Sequence, residues 1–124
     1  MFFLFLAIFA FVGATLRYFA NGYFAQDIFS WSLIPLGTLV VNVIGSFALG
    51  GLYQYSQTEQ SILSPALSLA LMVGLLGALT TFSGYAIDTL RLAQAGNYWA
   101  AGINALVNPV FSILFCFIGL KMTS

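Results

Sequence analysis

Apolar residues fill four long stretches of this 124-residue chain, and polar ones gather in short interruptions between them. A run of about 20 apolar residues is the length that crosses a hydrocarbon core as a helix. The pattern predicts helices near Phe2 to Tyr23, Leu33 to Tyr55, Ser61 to Leu92 and Tyr98 to Lys121. Between them, Gln26-Asp27, Ser30 to Pro35, Ser56 to Gln60 and Gly96-Asn97 carry turn chemistry. The expectation is an all-α membrane protein, one four-helix transmembrane domain over residues 1–124, with both termini on one side of the bilayer. The first stretch lacks a basic leader and a small-residue cleavage site and runs into Arg17-Tyr18, so it reads as a retained span.

The third stretch is longer than a membrane requires. A continuous helix from Ser61 to Leu92 would run roughly 48 Å against a hydrocarbon core of roughly 30 Å. Within it, Gly74 to Tyr85 reads GLLGALTTFSGY. Gly74, Gly77 and Gly84 lower helix propensity, and Thr80, Thr81 and Ser83 bring hydroxyls able to satisfy freed backbone groups. Two half-helices meeting mid-membrane, with a break near 74–83, are therefore expected. Such a break exposes carbonyl oxygens to a small hard cation and half-helix N-termini to an anion. The competing reading is that the glycines allow close helix packing, as in Gly74-xxx-Ala78.

Composition fixes the solvent: 61% of residues are hydrophobic and 5% charged, and the mean hydropathy is +1.02, values foreign to a water-soluble domain. The chain has no histidine, which excludes imidazole ligation and histidine acid/base chemistry. Its single cysteine, Cys116, can form neither an intrachain disulfide nor, alone, a metal site. No nucleophile, acid/base pair or cofactor motif suggests an enzyme, and nucleic acid is not an expected partner. The lipid bilayer is.

Charge bears on orientation. Arg17 and Arg91 stand against Lys121 and the N-terminus, so the Lys/Arg rule gives no preferred topology. Two oppositely inserted copies can then pair as an antiparallel homodimer. Asp88 and Arg91 are spaced for an ion pair at i, i+3. Arg17 can snorkel to the interface or raise the anion concentration at a vestibule.

Polar residues at membrane depth supply the candidate chemistry. Asn42 is central in the second span, as a pathway-lining residue or an interhelical glue. Asn104, Asn108 and Ser112 recur at i, i+4 and i+8 and form one polar stripe on the last span. Pro109 beside them frees the Ala105 carbonyl and bends the helix. No carboxylate lies centrally in any span, which argues against a proton-coupled cation exporter.

GATLRY (13–18), GTLVVN (37–42), GLLGALTTFSGY (74–85) and LAQAGNY (92–98), in that order, resemble the Fluc (CrcB) fluoride channels. The resemblance implies an antiparallel dual-topology homodimer with two fluoride pores in the inner (plasma) membrane, its third helix broken at the centre. It implies passive electrodiffusion of fluoride out of the cell, protecting it from fluoride toxicity. It also implies a structural sodium ion on the two-fold axis, held by the backbone carbonyls of Gly77 and Thr80 from both copies. The pore residues implied are Asn42, Thr81, Phe82, Ser83, Tyr85, Asn104, Asn108 and Ser112, with Arg17 at a vestibule. Tyr85 stands where the family has phenylalanine, Gly84 where it has a hydroxyl, and Asp88 where glutamate is common. The alternatives are a small multidrug-resistance type exporter, which would want a carboxylate in the first helix, and a non-transporting accessory subunit.

Overall fold

A computed structural model describes residues 1–26 and 34–124, with the backbone alone at 24–26. The helix start expected at Leu33, and the turn residues Asp27 and Ser30 to Leu33, lie outside the described residues. Every regular element among the described residues is helical: α1 (Phe2–Gln26), α2 (Leu36–Ser56), α3 (65–79), α4 (Phe82–Gln94) and α5 (Tyr98–Met122). These form four segments long and apolar enough to cross a membrane, α3 and α4 together making the third, Pro65–Gln94.

Local chemistry sets the ends of these elements. The Ser64 hydroxyl accepts from Leu67 N–H at 3.2 Å and Pro65 follows at the first helical position, so α3 starts there and not at Ser61. Gly96, at φ +80°, closes α4 in the left-handed region. Asn97 then caps α5 by accepting from Ala100 N–H at 3.1 Å.

The third segment changes character along its length. It is α-helical over Pro65–Leu69, widens to a π-helix over Ala70–Leu76, and returns to α over Gly77–Leu79. The chain then breaks: Thr80 has ψ 155° and Thr81 has φ −149°, both extended, before α4 begins at Phe82. Gly74 lies ahead of the break and serves packing, since a Cβ there would come within 2.9 Å of the Leu6 carbonyl of α1. The two threonines carry the extended backbone, and Gly84, where a Cβ would come within 2.8 Å of Thr81 Cγ2, leaves room for the Thr81 side chain.

Helices α2 and α5 form the main seam. Gly50 and Gly119 face each other's helix so closely that a Cβ on the first would run into the Cys116 carbonyl, and on the second into the Phe47 carbonyl. α1 lies along α3. The interior is small and polar: Thr38, Asn42, Ser68, Thr81, Asn104 and Asn108 are buried beside Val41, Ala70, Leu76, Ala100 and Ala101. Phe3, Phe11, Tyr18 and Phe19 of α1, and Leu106, Ile113 and Phe117 of α5, face outward. This inversion of a soluble core is what lipid selects, because hydrocarbon accommodates large apolar side chains and only protein can satisfy polar ones.

Candidate functional site

The break at Thr80-Thr81 is held by the side chain of Asn42. Thr81 N–H donates to Asn42 Oδ1 at 2.7 Å, and Asn42 Nδ2 donates back to the Thr81 carbonyl at 3.1 Å. The carboxamide thus replaces a missing length of backbone, meeting the donor and acceptor that the extended residue exposes. This pairing also fixes which way the amide points, because only Oδ1 can accept a backbone N–H. Asn42 Nδ2 directs its other hydrogen to Asn108 Oδ1 at 2.9 Å.

The orientation passes to α5. With its oxygen turned toward Asn42, Asn108 has its own NH₂ group left over, buried and without a hydrogen-bond partner. Asn108 is 2% exposed. A buried donor left unmade costs about 1–3 kcal/mol, and ligands that accept hydrogen bonds remove that cost.

Asn108 lines a cleft of about 290 Å³ together with Asn42, Ser46, Thr80, Thr81, Phe82, Tyr85, Pro109, Ser112 and Ile113. The Ser112 hydroxyl donates to the Asn108 carbonyl at 2.7 Å and keeps its lone pairs free. The Phe82 and Tyr85 rings meet at 5.3 Å, tilted by 58°. Phe82 is 78% exposed, so this wall of the cleft is open to whatever surrounds the chain. Thr81 Oγ1 accepts from Gly84 N–H at 2.9 Å, capping α4, and lies 3.3 Å from Ser83 Oγ.

Four of the expected residues do not line this cleft: Ser83, Gly77, Asn104 and Arg17. Asn104 is fully buried at 0% exposure, and its Nδ2 donates to Thr89 Oγ1 at 2.8 Å, whose hydroxyl in turn donates to the Tyr85 carbonyl at 2.8 Å. It ties α5 to α4. Arg17 lies well inside α1, and its guanidinium donates to the Thr80 carbonyl at 3.2 Å. That side chain reaches the break and not the interface, because a charge-assisted bond to a carbonyl off the helical ladder is available there.

Residues 4–120 match the sequence family described as CrcB-like protein, Camphor Resistance (CrcB). The chain belongs to the CrcB family. Among its relatives, the Fluoride-specific ion channel FluC of Shewanella sediminis is 40% identical over 119 residues, 96% of this chain and 93% of that protein. Its namesake in Campylobacter fetus subsp. fetus is 42% identical over 108 residues, covering 87% of this chain and 82% of the relative. A third, from Shewanella sp. (strain ANA-3), is 40% identical over 111 residues, covering 90% and 86%. With its family and its four apolar spans together, the chain is a multi-pass membrane protein.

For this CrcB chain, some contacts had no sequence signal. Buried Thr38 donates to the Asp88 carboxylate at 3.0 Å across α2 and α4, so Asp88 is engaged by a hydroxyl 50 positions away and not by Arg91. The Thr89 link to Asn104 was equally silent. Ser46 was legible in principle: it stands one turn beyond Asn42 on the same face of α2.

Proposed function

We propose that the chain is a fluoride-specific ion channel acting as two oppositely inserted copies in the inner membrane, each contributing to two pores. The relatives' names support the ion. The observation that carries the reading on this chain is the uncommitted, buried amide donor of Asn108, a residue that lines the cleft together with Phe82 and Tyr85. Fluoride is small and strongly hydrated, so a path for it must replace shed water with closely placed donors. Asn108 Nδ2 is such a donor, and the hydroxyls of Thr81, Ser83 and Ser112 can rotate to become donors. Aromatic ring edges are electropositive and complete the path where no hydroxyl reaches.

Asn42 acts in this scheme by aiming. Both of its amide hydrogens are taken, by the Thr81 carbonyl and Asn108 Oδ1, so it presents Asn108 to the path. Asn104 stands behind the wall as a brace of α4. The Arg17 charge at the break favours an anion nearby in a low-dielectric surrounding. Conduction is passive. Fluoride enters cells as neutral HF and dissociates inside, and a channel lets a negative membrane potential expel the trapped anion.

Pairing of copies is supported by the open wall of the cleft at Phe82 and by exposed Gly77. The break also suits a small hard cation on the pairing axis, expected to be sodium. Thr81 N–H, which would close the helical ladder on Gly77, is turned to Asn42, and Gly84 N–H, which would close on Thr80, is turned to Thr81 Oγ1. Both carbonyls are therefore off the ladder, with Arg17 occupying one side of the Thr80 oxygen. Gly77 and Thr80 of the two copies would hold the ion, which supplies positive charge between facing carbonyls.

The test is efflux from liposomes carrying the purified chain. Fluoride leaves and chloride stays; Asn108→Leu, which removes the free donor, lowers fluoride efflux by about tenfold or more. Absence of fluoride efflux from the unaltered chain, or equal efflux of chloride, overturns the reading.

A further inference from the structure

Tyr85 lines the cleft, and its hydroxyl is committed to one partner. The phenol donates to the Ala105 carbonyl of α5 at 3.0 Å. In an α-helix that carbonyl accepts from the N–H four residues later, and residue 109 is proline, which has none. In lipid no water replaces the lost donor. The other end of Tyr85 is fixed to the same helix, since its backbone carbonyl accepts from Thr89, whose hydroxyl accepts from Asn104. Tyr85 and Pro109 both line the cleft.

We propose that Tyr85 and Pro109 are a matched pair: the tyrosine hydroxyl replaces the helical hydrogen bond that Pro109 cannot make, and this holds the Tyr85 ring in place beside Phe82 on the cleft wall. Tyr85 is thereby a positioning residue. Its hydroxyl hydrogen points at backbone and is unavailable to an anion, so the phenol binds nothing in the cleft. The bond itself stands on the geometry alone. Its consequence for flux rests on the fluoride reading.

A double-mutant cycle in the full chain separates the two. Tyr85→Phe, Pro109→Ala and the double variant are compared with the unaltered protein for unfolding in detergent and for fluoride efflux from liposomes. With Pro109 present, Tyr85→Phe orphans the Ala105 carbonyl and shifts the unfolding equilibrium by about threefold to tenfold. In the Pro109→Ala background the backbone N–H gained at that position restores the ladder, and the same Tyr85→Phe change shifts it by less than about twofold. Pro109→Leu serves as a second restoring background. Maximal fluoride efflux follows the same non-additive pattern, while the fluoride concentration for half-maximal flux stays within about twofold, because the phenol is not a ligand. Additive effects on unfolding, or an unchanged equilibrium in Tyr85→Phe alone, overturn the pairing. A rise of the half-maximal concentration that Pro109→Ala does not rescue overturns the positioning role. Coupled unfolding in a chain that carries no fluoride upholds the pairing and sinks the fluoride reading alone.

Discussion

At the scale of single residues, Asn42 decides the most. Its carboxamide closes both hydrogen-bonding groups of Thr81 and sets the orientation of Asn108, three jobs that no apolar side chain of similar volume performs. Asn42→Leu leaves a buried N–H and a buried carbonyl unpaired and frees Asn108 to turn. Membrane hydrogen bonds average well under the values of water-soluble cores, so the expected loss of stability is about 2 kcal/mol in total. Fluoride efflux falls further than stability alone explains, by about tenfold or more in protein that remains folded. Denaturation in detergent and liposome efflux measure the two, and a variant with full flux would remove Asn42 from the scheme. Its depth in an apolar span marked Asn42 from the sequence, as it marked Asn108. What the sequence lacked was the partner: Thr81 lies 39 positions away, and side-chain pairing across that distance has no periodicity to betray it. For the same reason the i, i+3 spacing points Asp88 to Arg91, whereas its partner in the fold is Thr38. Arg17 read as interfacial because a cation in a span ordinarily snorkels; the free carbonyl at Thr80 that draws it inward exists only once the chain is broken.

At the scale of the elements, hydropathy made the four helices legible because lipid rewards apolar length directly. Their ends moved by a few residues, as at α3, where the Ser64 cap and Pro65 govern and the onset of apolarity does not. The break was expected from glycines and hydroxyls together, and the structure divides the work between them. Gly74 serves the contact with α1, while Thr80 and Thr81 carry the extended residues. The α2–α5 seam makes a sharper distinction among glycines. A methyl on Gly119 meets the Phe47 carbonyl, with the Gly51 nitrogen 3.1 Å away, whereas one on Gly51 meets only ordinary contacts at 3.5 Å and beyond. Gly119→Ala should therefore push the helices apart and cost about 1–3 kcal/mol. Gly51→Ala, on the same seam, should be neutral or stabilising by up to about 1 kcal/mol through lower backbone entropy of the unfolded chain. Equal unfolding midpoints for the two variants would show that the close approach is not what holds the seam.

At the scale of the whole molecule, orientation hangs on very few charges, and the fold removes one of them. Arg17 is engaged at the break, so it no longer counts at an interface. Following the spans, Lys121 lies at the end where α2 finishes and α3 begins, and Arg91 at the end where α4 finishes. The Lys/Arg side-chain count is then one against one, with only the N-terminal amine added on the Lys121 side, and the bias stays small. The expected outcome is both orientations in one membrane. With Cys116→Ser as background, a cysteine at Gln57 or Gln60 in the α2–α3 connection should be labelled from both sides. With the probe cysteine at Glu59 instead, Gln57→Lys and Gln60→Lys should fix that connection on the cytoplasmic side, and lysines at Gln94 and Ala95 should fix the opposite arrangement. If pairing requires inverted copies, each biased variant alone loses fluoride efflux, and the two produced together regain it. Neither variant changes the cleft, so the recovery would come from restored pairing and not from repaired chemistry. A singly oriented variant that conducts fully by itself would show that the pathway is complete without an inverted partner.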